Sequence, residues 1–188
     1  MNIAIKKRNR LKSLAIKSSV SDKILVRTDS DIAEAIKISI HPSETLSLLI
    51  GDSTAIFPNA LSEIVKDINE SRAMLDLEFD WDSSGGHAIP PKVWENAAMF
   101  LATYSKWIYE NEQVVLQSPS INPVADGSID LTWYTNTARM LINIKNSDNP
   151  EAHFYGDLQN DESIKGNFSI DGEVRAYFAQ WLRKNLCR

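Results

Sequence analysis

The chain predicts an α+β domain in which an antiparallel four-stranded meander carries helices on one face, preceded by a small N-terminal segment of β character. Three observations carry this. Apolar residues recur at helical spacing in two stretches before Glu110, the period switches to two after Ser118-Pro119, and a helical stripe returns after Asp171. With 188 residues, 43% of them hydrophobic and 24% charged, the chain can bury a core and does not have the composition of a disordered protein.

The elements follow in order. Residues 1–20 form a basic arm of the kind that chain ends usually leave solvated. Residues 21–57 carry short aliphatic runs, "DKILVRTD" and "ETLSLLIGDSTAIF", the second broken by Gly51-Asp52-Ser53 as two strands around a turn would be; "SDIAEAIKISI" between them fits helix or strand. The α+β domain is expected over 58–188. Pro58 suits a first helical turn, and Leu61, Ile64, Val65, Ile68 and Leu75 make one apolar face running to about Leu75. Pro90-Pro91 opens a second helix with Trp94, Ala97, Leu101, Tyr104 and Ile108 on a stripe that Val93, Phe100 and Trp107 widen.

Four strands then alternate. "SIDLTWY" places Ile129, Leu131 and Trp133 on one face, and "RMLINIK" does the same with Met140, Ile142 and Ile144. "AHFYGDL" and "SIKGNFSI" complete the meander. Asp171 offers an N-cap for a terminal helix whose inward face holds Val174, Tyr177, Phe178, Trp181 and Leu182, with Arg183, Lys184 and Arg188 at its dipole-favoured end.

Charge is unevenly spread. Met1 to Arg27 holds eight Lys/Arg against one acid, about +7, which leaves about −12 for the remainder. "KKRNRLK" (Lys6 to Lys12) is a candidate nucleic-acid or membrane-surface contact, but the acidic remainder lacks the basic footprint that phosphate-backbone binding requires. No apolar run reaches the roughly 20 residues of a membrane span and no secretory signal opens the sequence, so a cytoplasmic protein is expected. A single cysteine, Cys187, excludes an intrachain disulfide and a cysteine-cluster zinc site.

The stretch "DWDSSGGHAIPP" (Asp80 to Pro91) concentrates most of the chemistry-bearing side chains. Asp80, Asp82, Ser84 and Gly85 fall at positions 1, 3, 5 and 6 of a calcium loop, yet its twelfth position is Pro91 instead of a bidentate glutamate. Asp80, Asp82 and His87, with His153 and Asp157 from the sheet, compose a candidate metal-assisted hydrolase site, unsupported by any His-x-His or His-x-x-x-His pair. Ser83 or Ser84 beside Gly85-Gly86 and His87 resembles a nucleophile with oxyanion donors but lacks the strand-turn-helix context. No phosphate loop or dinucleotide fingerprint is present, and no cofactor is implied. The reading with fewest assumptions is a connector: Asp80 or Asp82 accepts backbone N–H bonds, the glycines supply positive φ, and Trp81 pins the loop to the core. Asp80, Trp81, Asp82 and His87 are thus the candidate residues if the loop is a site. The same logic assigns Trp94, Trp133 and Trp181 to the core rather than to a stacking platform.

"W-D-S-S-G-G-H-A-I-P-P", a helix, then "P-x-I-N-P-V-A-D-G-S-I-D-L-T-W" resembles a group of uncharacterised bacterial proteins with the order W-D-G-x-G-A-x-P, helix, P-x-I-x-P-x-x-D-G-x-I-x-L-x-W. The likeness spans about Leu61 to Leu186. Ser83 stands where the group has glycine, and one extra residue precedes Ala88. The group implies the fold and no activity.

With catalytic-type residues few, the leading functional expectation is a non-enzymatic interaction protein of antitoxin-like, immunity-like or adaptor type. Its acidic body suits a basic protein partner. The alternatives are the metal-assisted hydrolase of Asp80, Asp82 and His87, and nucleic-acid binding through the basic arm.

Overall fold

The computed structural model describes residues 45–160 and 162–188. The basic arm and the runs "DKILVRTD" and "SDIAEAIKISI" lie outside the described residues. The described chain is an α+β structure in which a two-stranded hairpin and three α-helices accompany a five-stranded antiparallel sheet.

The hairpin joins β1 (Thr45–Ile50) and β2 (Ser53–Pro58) through a two-residue turn, and Gly51 supplies the left-handed φ of 56° that such a turn favours in its first residue. Leu48, Ile50 and Phe57 point from it into the hydrophobic core that the helices share. Pro58 closes β2 and does not open a helix, which corrects the sequence expectation. A 3-10 turn (Asn59–Leu61) follows, then α1 (Ser62–Ser71), then a second 3-10 segment (Arg72–Asp76). The apolar spacing from Leu61 to Ile68 is helical as expected, but the stretch to Leu75 is divided among three short helical pieces.

Helix α2 (Pro91–Glu112) begins at Pro91, where a missing N–H costs nothing because no intrahelical acceptor exists for it. Its 22 residues bury Val93, Trp94, Ala97, Phe100, Leu101, Tyr104 and Ile108, so it is embraced on more than one side. Gln113, with φ 56°, ends it in a left-handed cap.

The sheet runs in sequence order: β3 (Ser120–Pro123), β4 (Ile129–Tyr134), β5 (Ala138–Ile144), β6 (Glu151–Leu158) and β7 (Ser163–Ser169). Every neighbouring pair is antiparallel. The expected meander gains a fifth strand, β3. Four residues that follow Pro119 and end on Pro123 carry almost no periodicity, yet an edge position tolerates proline because only one side of the strand must donate. The alternation is as read: Ile129, Leu131 and Trp133 on β4, Ala138, Met140, Ile142 and Ile144 on β5, and Ala152 and Phe154 on β6 are buried against the helical layer.

Helix α3 (Ala176–Leu186) starts four residues later than an Asp171 cap would place it. The Asp171 carboxylate accepts the Glu173 N–H at 3.0 Å and pairs with Arg175 at 2.6 Å, so it organises the turn before the helix instead of the helix end. Phe178 and Leu182 of α3 are fully buried. Tyr177, expected to face inward, is 55% exposed, and Trp181 is only partly covered. Phe178 sits among Phe100, Tyr104, Phe154 and Phe168, with ring centroids 4.6 to 6.3 Å away, and thereby ties α2, β6 and β7 to α3.

Candidate functional site

The loop from Asp80 to Pro90 is organised by its own carboxylates. Asp80 adopts φ 68° and Ser83 φ 58°, left-handed conformations that short polar side chains tolerate, and Gly85 adopts φ 88°. These turns aim backbone N–H groups at the two aspartates. The Gly85 N–H reaches Asp80 Oδ1 at 2.7 Å, while the Ser84 and Gly86 N–H groups both reach Asp82 Oδ1, at 2.9 and 2.8 Å. The Asp80 N–H donates to the Gly86 carbonyl at 2.7 Å, and the Trp81 indole N–H donates to the His87 carbonyl at 2.9 Å. The bonds from Gly86 and Ser84 hold the Asp82 carboxyl below its usual range.

The loop then docks on the sheet. The His87 N–H donates to the Ala125 carbonyl at 2.8 Å, and Gly127, with φ 82°, passes so close that an added Cβ would lie 3.3 Å from the Ala88 carbonyl oxygen. The two halves of the motif pattern, one before α2 and one before β4, are therefore neighbours in space. The second half has its own carboxylate turn. Asp126 accepts from the Ser128 N–H and hydroxyl, which keeps its carboxyl below its usual range, and the buried Ser128 accepts from Asn143.

The candidate residues of the loop do not converge. Asp80 and Asp82 face inward on backbone donors, the His87 ring is exposed and meets Phe79 edge-on at 5.9 Å, and Trp81 closes the loop. His153 lies on β6, 3.4 Å from Glu151, and Asp157 is four residues further along the same strand, about 13 Å away at the rise of a β-strand. Among the described residues no three His, Cys, Asp or Glu side chains assemble as a metal-binding group, and no hydrogen bond joins the Ser83 or Ser84 hydroxyl to His87. Burial pushes the Cys187 thiol up to about 11, so it is protonated at neutral pH and a poor nucleophile.

This geometry makes a specific forecast for Asp82→Asn. Because the native carboxyl titrates below its unfolded value, near 3.8, its stabilisation is present above that value and is lost as pH falls through the lowered native one. The acid limb of the melting temperature below about pH 4 should therefore be shallower in Asp82→Asn than in the parent. Chelator, calcium, magnesium, manganese and zinc should leave both melting curves unmoved. A saturable stabilisation by one of these ions, lost in Asp82→Asn, would sink the connector reading, since a ligand of the native state must raise its stability.

A second surface emerged only with the structure. The face of the sheet opposite the helices is uncovered by any described element. Its outward side chains form three full rows across β4 to β7 and a shorter one, Glu151 with Ser169, on β6 and β7. One row is Tyr134, Arg139, Asp157 and Ser163; the next is Thr132, Leu141, Tyr155 and Lys165; the third is Asp130, Asn143, His153 and Asn167. Tyr134 is 71% exposed, Tyr155 50% and Leu141 39%. The Arg139 guanidinium lies over the Tyr134 ring at 5.9 Å. A shallow depression of about 220 Å³ lies between the two tyrosines, and a wider one of about 620 Å³ opens on the other side of Tyr155 toward Lys165 and His153. A further groove of about 570 Å³ runs beside α2, walled by Met99, Trp107 and Val174. Its cation, Lys106, already lies 6.0 Å from the Phe57 ring. The sheet face is the stronger candidate, because among the described residues Arg139, Asp157 and Lys165 have no ion-pair partner there. The strand alternation in the sequence already marked these positions as the non-core set, but not that no described element would cover them.

Comparison of the chain with protein-family models, with curated proteins and with solved structures finds no match. Among the described residues no helix is long and apolar enough to cross a membrane.

Proposed function

We propose that the chain is a protein-interaction module without chemistry of its own, of adaptor, immunity or antitoxin type, and that the open sheet face is its contact surface. The observation that carries this is the make-up of that face. Of its fourteen outward positions on β4 to β7, two are tyrosine, one is leucine and one arginine, whereas only one is lysine and one, at its margin, glutamate. Protein contact surfaces are enriched in tyrosine and arginine and depleted of lysine and glutamate, because large rigid amphipathic side chains bury area at low entropic cost. A face meant only for water has no need of Leu141 between two exposed tyrosines. The surroundings set the character of the partner. From Thr45 onward there are eleven Lys/Arg against twenty Asp/Glu, a field that attracts a basic protein.

The test is co-purification of the full chain with the products of its neighbouring genes. One basic protein should be retained in fixed ratio, less so as salt rises, and the double variant Tyr134→Ser/Tyr155→Ser should melt as the parent does while losing it. Undiminished retention by the double variant would remove the sheet face from the reading. If no neighbouring product binds, the basic partner is overturned.

A further inference from the structure

We infer that, when no other protein occupies it, the open sheet face seats a second copy of this chain, related by a two-fold axis that runs parallel to the strands between β5 and β6. This rests on reading that face as a protein contact surface. The register supplies the argument. Across the β5–β6 seam the outward pairs are Arg139 with Asp157, Leu141 with Tyr155, and Asn143 with His153. A two-fold axis along that seam places each residue over the cross-strand partner of its own copy. Arg139 of one chain then meets Asp157 of the other, Leu141 meets Tyr155, and Asn143 meets His153, each twice. Two of these oppositions are chemically complementary, cation with carboxylate and aliphatic with aromatic; in the third the Asn143 amide already donates to Ser128 and Asp130 and only packs against His153. A surface that meets itself around a two-fold axis must be self-complementary in this way.

The charges are available for it. Within the chain the Arg139 guanidinium lies over Tyr134 instead of pairing with Asp157, its neighbour in the register, and Asp157 has no ion pair among the described residues. Leu141 and Tyr155 beside them give the seam an apolar centre. Two sheets packed face to face stand about 10 Å apart and within about 30° of alignment, which such outward side chains span. Four strands and three outward rows cover roughly 20 Å by 20 Å, less than the roughly 800 Å² per partner of a standard interface. The pair is accordingly a concentration-dependent dimer that a better-fitting partner displaces.

Sedimentation of the full chain over about a hundredfold range of concentration should show a monomer–dimer equilibrium. Arg139→Asp sets two carboxylates against each other on both sides of the axis, and Asp157→Arg sets two cations there. Each variant alone should weaken dimerisation about tenfold or more, while the like charges it places across its own β5–β6 register lower the melting temperature only slightly. Mixed in equal amounts, the two should form a heterodimer. The carboxylate introduced by Arg139→Asp then faces the guanidinium introduced by Asp157→Arg, and the native Asp157 of the first variant faces the native Arg139 of the second. A chain that stays monomeric throughout, or single swaps that dimerise as the parent does, or a mixture that gains nothing, overturns the inference. A monomeric chain whose neighbouring-gene partner is still lost on Tyr134→Ser/Tyr155→Ser would leave the proposed function standing without it. Dimers that obey the charge swap, with no such partner, would do the reverse.

Discussion

Trp133→Ala should lower the unfolding free energy by about 3–5 kcal/mol, the range for truncating a large buried aromatic side chain. Trp133 is 2% exposed as the last of the three inward residues of β4, next to Leu131 on that face and opposite Met140. Alanine there forfeits the transfer energy of an indole and leaves a cavity that a close-packed sheet cannot collapse into. A second loss adds to the first. The Trp133 indole N–H donates to the Gln117 carbonyl at 2.7 Å, and the Gln117 N–H in turn reaches the Leu186 carbonyl at 3.0 Å, so the side chain fastens the segment before β3 and, through it, the end of α3. Trp133→Phe keeps most of the apolar contact but orphans that carbonyl, and should cost about 1–2 kcal/mol. Trp181→Ala should cost less than Trp133→Ala, since Trp181 is only partly covered and packs its ring edge over Gly156. Chemical denaturation decides: a Trp133→Ala loss below about 1 kcal/mol would mean the indole is not in the core.

The pair of tryptophans shows where sequence periodicity speaks and where it stops. A strand has two faces, and the alternation through Ile129, Leu131 and Trp133 leaves no doubt which is apolar, so the inward rows were legible. A helix face is broad. The stripe that included Tyr177 and Trp181 with Phe178 and Leu182 was right in direction, but its margins lie at the edge of the contact, and only the packing of α3 decides that Phe178 is covered while Tyr177 is not. Helix starts were legible at Pro91, where proline acts through its own fixed φ, and illegible at Asp171, whose carboxylate had equally good donors in a turn and chose the Glu173 N–H. Strand β3 was missed because Ser120–Pro123 is too short to show a period. The open face was half legible. Its residues are the polar-side members of each alternation, but the pairing of Arg139 with Asp157 depends on the register across the Lys145 to Pro150 connection, which no local pattern sets. In the loop, the order Asp-x-Asp fits a chelate and an aspartate turn equally, and the positive φ of Asp80 and Ser83 decided between them.

Gly86→Ala should be the most damaging single change in that loop, costing about 1–3 kcal/mol by overpacking. Gly86 is buried, and it is not one of the residues with positive φ, so the objection to a side chain is spatial. A Cβ built there would lie 2.8 Å from Asp82 Cγ and Oδ1 and 2.9 Å from Trp81 Nε1. Neither obstacle is a loose end. The Asp82 carboxylate holds the Ser84 and Gly86 N–H groups, and the Trp81 indole holds the His87 carbonyl, so yielding to a methyl group breaks the bonds that close the loop. Gly85→Ala is the control. Its φ of 88° strains any L side chain, but nothing lies within 4 Å of the added atom, so its cost is conformational only, about 1 kcal/mol. The two variants should also differ in what they disturb. Gly86→Ala should shift Trp81 fluorescence and speed amide exchange at Ser84 and His87, because the His87 N–H is what docks the loop on Ala125. Gly85→Ala should leave both near the parent values. If Gly86→Ala melts and exchanges as the parent does, the Asp82 carboxylate is free to move aside, and the loop is not the closed connector between α1 and α2 that its hydrogen bonds describe.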